Sequence, residues 1–420
     1  MIFKPKTKEE LRKAIDEYCE NDDKTKGNIN DWDVSLITDM SDLFFCCNYS
    51  IDCDKKIHHF NQPLNNWNVS NVIDMNYMFN NCIQFNQPLN NWNVSNVTDM
   101  SYMFYFCKEF NQPLNNWNVS NVTDMGCMFC YCYIFNQPKN NWNVSNVTNM
   151  SYMFYHCYVF NQPINKWNVS KVTDMSCMFS YCEKFNQPIN NWNVSNVTNM
   201  NLMFCYCEKF NQSLNSWDVS NVTNMSSMFS ICHNFNQSIN DWNVSNVTNV
   251  SSMFSCCHVF NQPLNNWNVS NVTNMCHMFS DCHVFNQPIN NWNVSNVTNM
   301  SSMFYCCKEF IQPLNNWNVS NVTNMSYMFY YCNELNKSYK KQFYMKNIEK
   351  KNKYALCELL NDMSIIKIYY MSKDKEFIMK NIDNYQKNEI QKFIKNKTKD
   401  ICESCYLQMD CVNNICALCS

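Results

Sequence analysis

The chain has 420 residues, a net charge of −3, and only two glycines against 28 cysteines. That near-neutral balance excludes a whole-molecule basic field for nucleic acid, and so few glycines exclude a glycine-rich phosphate loop. No run of about 18 apolar residues occurs, so no membrane-spanning helix is predicted; the opening MIFKPKTKEELRK lacks the apolar core of a secretion signal. A cytoplasmic chain is the expectation.

Residues 1–27 read as a helical cap. Thr7 followed by Glu10 is a capping box, and Leu11, Ala14, Ile15 and Tyr18 then recur at helical spacing. Such a piece covers the open end of a repeat array, whose outermost unit otherwise leaves its core in water.

Residues 28–335 form that array. A weak first unit runs from Asp31 to Cys47, and an insertion at Tyr49–His58 reads as a surface loop. From Phe60 to Glu334 a 25-residue unit returns with little change, and eleven tryptophans mark it, from Trp67 to Trp317, with Trp32 before them and ten residues out of step. A period this strict predicts a solenoid of about 12 coils. In the unit Phe85–Glu109, Trp92 and Val94 alternate with Asn93, the pattern of a short strand. Val97, Met100, Met103, Phe104 and Cys107 step by three or four, the pattern of a short helix, with Thr98 or Asp99 placed to cap it. The fold class predicted is thus an α/β repeat solenoid. A lone unit cannot cover both sides of its apolar set, so neighbours must supply the second wall.

Several columns follow from the period. With glycine nearly absent, Asn65, Asn66, Asn68 and Asn71 and their echoes are expected in left-handed turn positions, with their amides bonding along the rod as ladders. Nine of the ten prolines hold one site, from Pro63 to Pro313, where they fix the return loop; Ser213 and Ser238 replace them twice. Ten Asn-Val-Ser and nine Asn-Val-Thr triplets match the glycosylation pattern. Glycans at a rung spacing of ~5 Å would collide, so a structural lattice is the reading preferred. Lys139 stands where other units carry Leu or Ile; a snorkelling stem at a half-buried site is expected.

Twelve cysteines, Cys47 and Cys82 to Cys332, follow the period and read as reduced, buried thiols. His233, His258 and His283 share one position in three successive units; a metal ladder is conceivable there, and variable surface residues are the plainer reading. The positions after the Phe104 and Cys107 equivalents vary most, so they are expected to face outward and meet a partner: Tyr105, Phe106, Tyr133, Tyr155, Tyr305, Tyr330 and Tyr331.

Residues 336–400 break the period and hold 16 lysines against 8 acids. Helices are predicted over Phe343–Asp362 and Lys375–Lys395, with Ser364–Tyr370 open between strand and helix. A solvated basic face is the first reading, and an anionic partner, nucleic acid included, the second. In residues 401–420, Cys402-x2-Cys405 and Cys416-x2-Cys419 lie ten residues apart, with Cys411 spare. Two such knuckles can offer four thiolates to a tetrahedral zinc; metal-free thiols or a redox pair are the alternatives.

The unit resembles the BspA-like leucine-rich repeat family, in its bacterial surface protein 26-residue repeat form. Leu89, Trp92 and Val94 take the places of that family's strand, and Met103, Phe104 and Cys107 those of its helix, over about residues 28–335. The resemblance implies a right-handed, leucine-rich-repeat-like superhelix used for protein contacts. Such repeats occur in bacterial surface proteins, protists and giant DNA viruses. The Asn/Lys/Ile-rich, glycine-poor usage resembles an AT-rich viral or protist genome, which would place the chain in host cytoplasm or virion.

No nucleophile–base–acid set stands out, because each candidate Ser, Asp or Asn recurs about ten times and catalytic sites are singular. The expected function is a non-enzymatic, monomeric protein–protein interaction scaffold. The alternatives are a zinc-dependent adaptor acting through its Cys-rich tail and a structural surface component of a virion or cell.

Overall fold

A computed structural model describes residues 2–21, 23–45, 56–335, 337–349, 352–362 and 364–396. It opens with helix α1 (Lys8–Glu20), started by Thr7, whose hydroxyl accepts the Glu10 N–H at 3.2 Å. The Glu10 carboxylate reaches back to the Lys6 N–H at 2.7 Å. The helix buries Leu11, Ala14 and Ile15, and Tyr18 meets the Trp32 ring edge-on. Cys47 and most of the expected loop at Tyr49–His58 lie outside the described residues.

Repeats then stack in register. A chain of parallel bridges links Asp39, Asp74, Asp99 and so on through Asn324, each to the equivalent residue of the next repeat. Side chains form continuous interior columns. Every tryptophan is at most 3% exposed. Trp92 lies between Trp67 at 6.5 Å and Trp117 at 6.4 Å, and its indole N–H donates to the Leu64 carbonyl at 2.9 Å. Phe104 stacks between Phe79 and Phe129 at 5.6 and 5.7 Å, with Phe110 at 4.1 Å. The periodic cysteines from Cys82 to Cys332 also lie inside: the Cys107 thiol donates to the Phe79 carbonyl at 3.0 Å, and burial pushes its pKa up.

The local elements differ from those expected. Trp92–Val94 is not a strand; it sits among turns closed by Trp92 N–H to Leu89 O and Val97 N–H to Val94 O, at 3.1 and 3.0 Å. Nor do Val97–Cys107 form a helix. Met103, Tyr105 and Cys107 each donate three residues back, to Met100, Tyr102 and Phe104. The alternate N–H groups of Met100, Tyr102, Phe104 and Phe106 donate instead to Asp124, Gly126, Met128 and Cys130 of the next repeat, at 2.9–3.1 Å. An α-helix would consume those donors internally and leave none for the neighbour. The three-residue spacing of apolar positions is therefore a turn period. Asp99 caps a turn rather than a helix, its carboxylate accepting the Ser101 N–H at 2.8 Å.

This zigzag needs left-handed residues, and they are not the expected asparagines. Tyr102 (φ 57°) and Phe106 (φ 61°) hold these positions, and Cys127, Tyr131, Tyr152 and His156 do so in the next repeats. Such residues carry a cost of about 1–2 kcal/mol each there, which the along-stack bonds and ring stacking offset. Asparagines do bond along the stack: the Asn96 amide donates to the Ser70 carbonyl at 2.7 Å, and Asn61 Oδ1 accepts from Asn86 N–H and the Gln87 amide at 2.9 and 3.0 Å.

Past the last repeat, the described residues form five helices where two were predicted: α2 (Lys337–Glu349), α3 (Lys353–Asp362), α4 (Ile365–Met371), α5 (Lys375–Asn381) and α6 (Asn384–Asn396). Ser364–Tyr370 resolves into α4. The break before α6 is a capping box, with Asp383 Oδ1 accepting from Gln386 N–H at 2.7 Å and Gln386 Oε1 from Asp383 N–H at 3.2 Å. Phe343 and Tyr344 of α2 close the phenylalanine column edge-on against Phe329, at 5.5 and 5.9 Å.

Lys139 departs most sharply from expectation. It is 1% exposed rather than half-buried. Its ammonium lies 5.0 Å from the Phe135 ring centre and 5.2 Å from that of Trp142, and 3.4 Å from the Pro138 carbonyl. Among the described residues no carboxylate pairs with it, and burial pushes its pKa down to about 7. An unfolded lysine titrates near 10.4, so the unfolded chain holds the extra proton between those values. The penalty is full below pH 7 and fades as pH rises toward 10.4. Lys139→Leu, matching Leu114 in the preceding repeat, should therefore stabilise the protein by about 3–5 kcal/mol below pH 7. The gain should shrink at pH 9–10, as read by urea unfolding at each pH; a gain independent of pH would contradict the assignment.

Candidate interaction surface

The turn corner fixes what faces outward. In each repeat the left-handed residue at the Phe106 position projects beside its equivalent in the next. Five successive repeats place an aromatic ring there: Phe106, Tyr131, His156, Tyr181 and Tyr206, with centroids 4.3, 4.7, 4.0 and 4.1 Å apart. Tyr105 and Tyr155 flank this row, each meeting Tyr131 edge-on at 5.7 and 5.3 Å. Tyr133 and Tyr158 stack beside it at 5.2 Å. The Lys108 ammonium sits over Phe106 and Tyr133 at 5.4 and 5.8 Å.

The rings of Tyr131, Tyr133, Tyr155, His156 and Tyr181 carry no charge at neutral pH. Burial pushes the His156 pKa down to about 4, and its Nδ1 lies 2.9 Å from the Tyr158 hydroxyl. Burial raises Tyr131, Tyr133 and Tyr155, and Tyr181 to about 12. Ile134 and Val159 stand exposed at its margin. The result is a half-buried aromatic strip.

Of the residues expected to meet a partner, Tyr105, Phe106, Tyr133 and Tyr155 come together in this strip. Tyr305, Tyr330 and Tyr331 form a separate cluster at the far end, Tyr330 and Tyr331 at 4.2 Å and Tyr305 at 5.8 Å from Tyr330. Between them the Phe106 position carries the non-aromatic residues Ile231, Cys256, Asp281 and Cys306. Sequence reasoning did not single out Tyr131, Tyr158, Tyr181 or Tyr206. Reading one column down the register, rather than pairs within a repeat, would have found them.

His233, His258 and His283 do stack, at 4.4 and 4.9 Å. His233 Nδ1 lies 3.0 Å from the Cys256 carbonyl. Among the described residues, no group of three or more His, Cys, Asp or Glu is arranged to hold a metal. Nor is any described helix long and apolar enough to cross a membrane. Cys402, Cys405, Cys416 and Cys419 lie outside the described residues.

Five overlapping segments, residues 13–140, 53–165, 128–242, 182–276 and 255–361, match the family described as Mycoplasma protein of unknown function, DUF285. No curated protein matches. Among solved structures, the chain is similar to a leucine-rich repeat protein from Eubacterium ventriosum ATCC 27560, with 13% identity over 63% of this chain and 81% of that one, at a TM-score of 0.33. It is also similar to the T. pallidum leucine-rich repeat protein, with 12% identity over 46% of this chain and 72% of that one, at a TM-score of 0.23.

Proposed function

The chain belongs to the DUF285 family, and from that premise we propose that it is a non-enzymatic scaffold whose repeat stack binds another protein. In this reading the stack is a leucine-rich-repeat-like, right-handed solenoid of about 12 coils. Residues 1–27 cap one end and the helices of residues 336–400 the other. The observation that supports it is the aromatic strip from Phe106 to Tyr206. Interfaces concentrate binding energy in tyrosines and other large aromatics, and in this strip stacking already covers the ring faces. Ring stacking holds each of these side chains before any partner arrives, so little side-chain entropy remains to be lost on docking.

A second reading rests on the spacing of the tail. Paired CxxC knuckles at Cys402/Cys405 and Cys416/Cys419 have the ligand count and type of a structural zinc site. In that case the tail is an adaptor module and the stack selects where it acts.

Two experiments test these readings. Capture with the full chain should retain a specific protein, and the triple variant Phe106→Ala, Tyr131→Ala, Tyr181→Ala should lose at least about tenfold in retention. Equal retention by both would remove the strip from the binding surface. Elemental analysis of the purified chain should find about one zinc per molecule, lost on joint Cys402→Ser and Cys416→Ser; metal-free protein purified in the presence of zinc would end the adaptor reading.

A further inference from the structure

The turn corner of every repeat sends its alternate N–H groups toward the C-terminal end of the stack. Each end of that corner is therefore left with one kind of unpaired backbone group. At the first repeat these are carbonyls, and cations of α1 meet them. Arg12 donates to the carbonyls of Leu43 at 3.0 Å and Phe45 at 2.7 Å, and to that of Asp42. Lys8 pairs with Asp39 at 3.0 Å.

At the last repeat the pattern is inverted, and α2 and α3 take the place of a further repeat at three backbone groups. In the interior, a carbonyl of the next repeat accepts from each alternate N–H; here the Glu358 carboxylate accepts the Tyr327 N–H at 3.1 Å. In the interior, a cysteine thiol donates to each phenylalanine carbonyl; here the Lys340 ammonium donates to the Phe329 carbonyl at 3.0 Å. An asparagine amide of a later repeat donates to Asn165 O and Asn265 O; at the equivalent Asn315 O the Lys346 ammonium donates, at 2.6 Å.

The substitution is incomplete. By register with Phe304 and Cys306, which donate to Met328 and Tyr330, the N–H groups of Phe329 and Tyr331 point to where the next repeat would lie. Among the described residues they find no acceptor. A cavity of about 420 Å³ opens at this place, lined by both residues, by Lys340 and Glu358, and by the rings of Tyr327, Tyr330 and Tyr344. That volume falls within the range of small-molecule sites.

We propose that this cavity binds an organic carboxylate, such as the C-terminus of a peptide, whose oxygens take the place of the missing repeat's carbonyls at the Phe329 and Tyr331 N–H groups. Glu358 demonstrates the chemistry two residues away, where a carboxylate already fills one position of the same row. Lys340 supplies the compensating charge, and the tyrosine rings receive the apolar body of the ligand. Glu358 also sets the limit: its own charge disfavours a doubly charged phosphate more than a singly charged carboxylate.

Titration calorimetry on the full chain tests this with benzoate, its neutral isostere benzamide, and inorganic phosphate. Benzoate should bind, and benzamide and phosphate should bind at least about tenfold more weakly. Lys340→Gln should weaken benzoate by a similar factor. Glu358→Gln, which keeps the side-chain shape and removes the repelling charge, should tighten it, a change that mere loss of structure would not produce. No benzoate binding, equal binding of benzamide or phosphate, or weaker benzoate binding by Glu358→Gln would each overturn the proposal.

Discussion

The structure depends on one constraint of the backbone. At each turn corner, half the N–H groups are consumed three residues back and the other half have no acceptor within their own repeat. A buried N–H without a partner costs about 1–3 kcal/mol, so a repeat cannot satisfy itself and each must lie in register on the next. The interior columns follow from that register. Once Met100, Tyr102, Phe104 and Phe106 are bonded to the next repeat, Trp92, Phe104 and Cys107 must fall on Trp117, Phe129 and Cys132. The near-identity of the repeats is what lets flat rings stack with interplanar angles as small as 0°, between Trp92 and Trp117. It also explains why the two ends need chemically different covers: α1 brings cations to carbonyls, and α3 brings a carboxylate to an N–H.

The same geometry shapes the surface. Left-handed backbone usually calls for glycine or asparagine, yet Tyr, Phe, His and Cys occupy it here. Their side chains leave the corner side by side at the repeat spacing, and stacking along the rod returns part of the backbone cost. The strip from Phe106 to Tyr206 is thus a by-product of the turn that the sequence can vary without disturbing the core. Cys256 and Asp281 show it doing so at the same position in other repeats.

What was legible in the sequence was whatever depends on period or on local capping. Thr7 and Glu10 announced α1 because a cap is made within four residues. The Trp, Phe and Cys columns were legible because a strict period can only be satisfied by stacking. The strand at Trp92–Val94 and the helix at Val97–Cys107 were misread because spacings of three suit a helix and a chain of three-residue turns equally. The deciding fact, that the Tyr102 N–H goes to Gly126 and not to its own repeat, is non-local. Asparagine at the left-handed positions failed for a related reason, since propensity argues from one residue and the stack compensates across many. Lys139 was expected to snorkel because lysine usually can; its site lies between Phe135 and Trp142 with no path to water. The end-cavity was invisible, because nothing in residues 325–360 says which donors α2 and α3 leave unpaired.

Amide hydrogen exchange, resolved by residue, tests the central constraint most directly. The N–H groups of Tyr102, Phe104 and Phe106 and their interior equivalents should exchange at least about a hundredfold more slowly than those of Phe329 and Tyr331 at the open end. Interior and terminal corners exchanging at the same rate would contradict the account, because the N–H groups would then not be held by the neighbouring repeat.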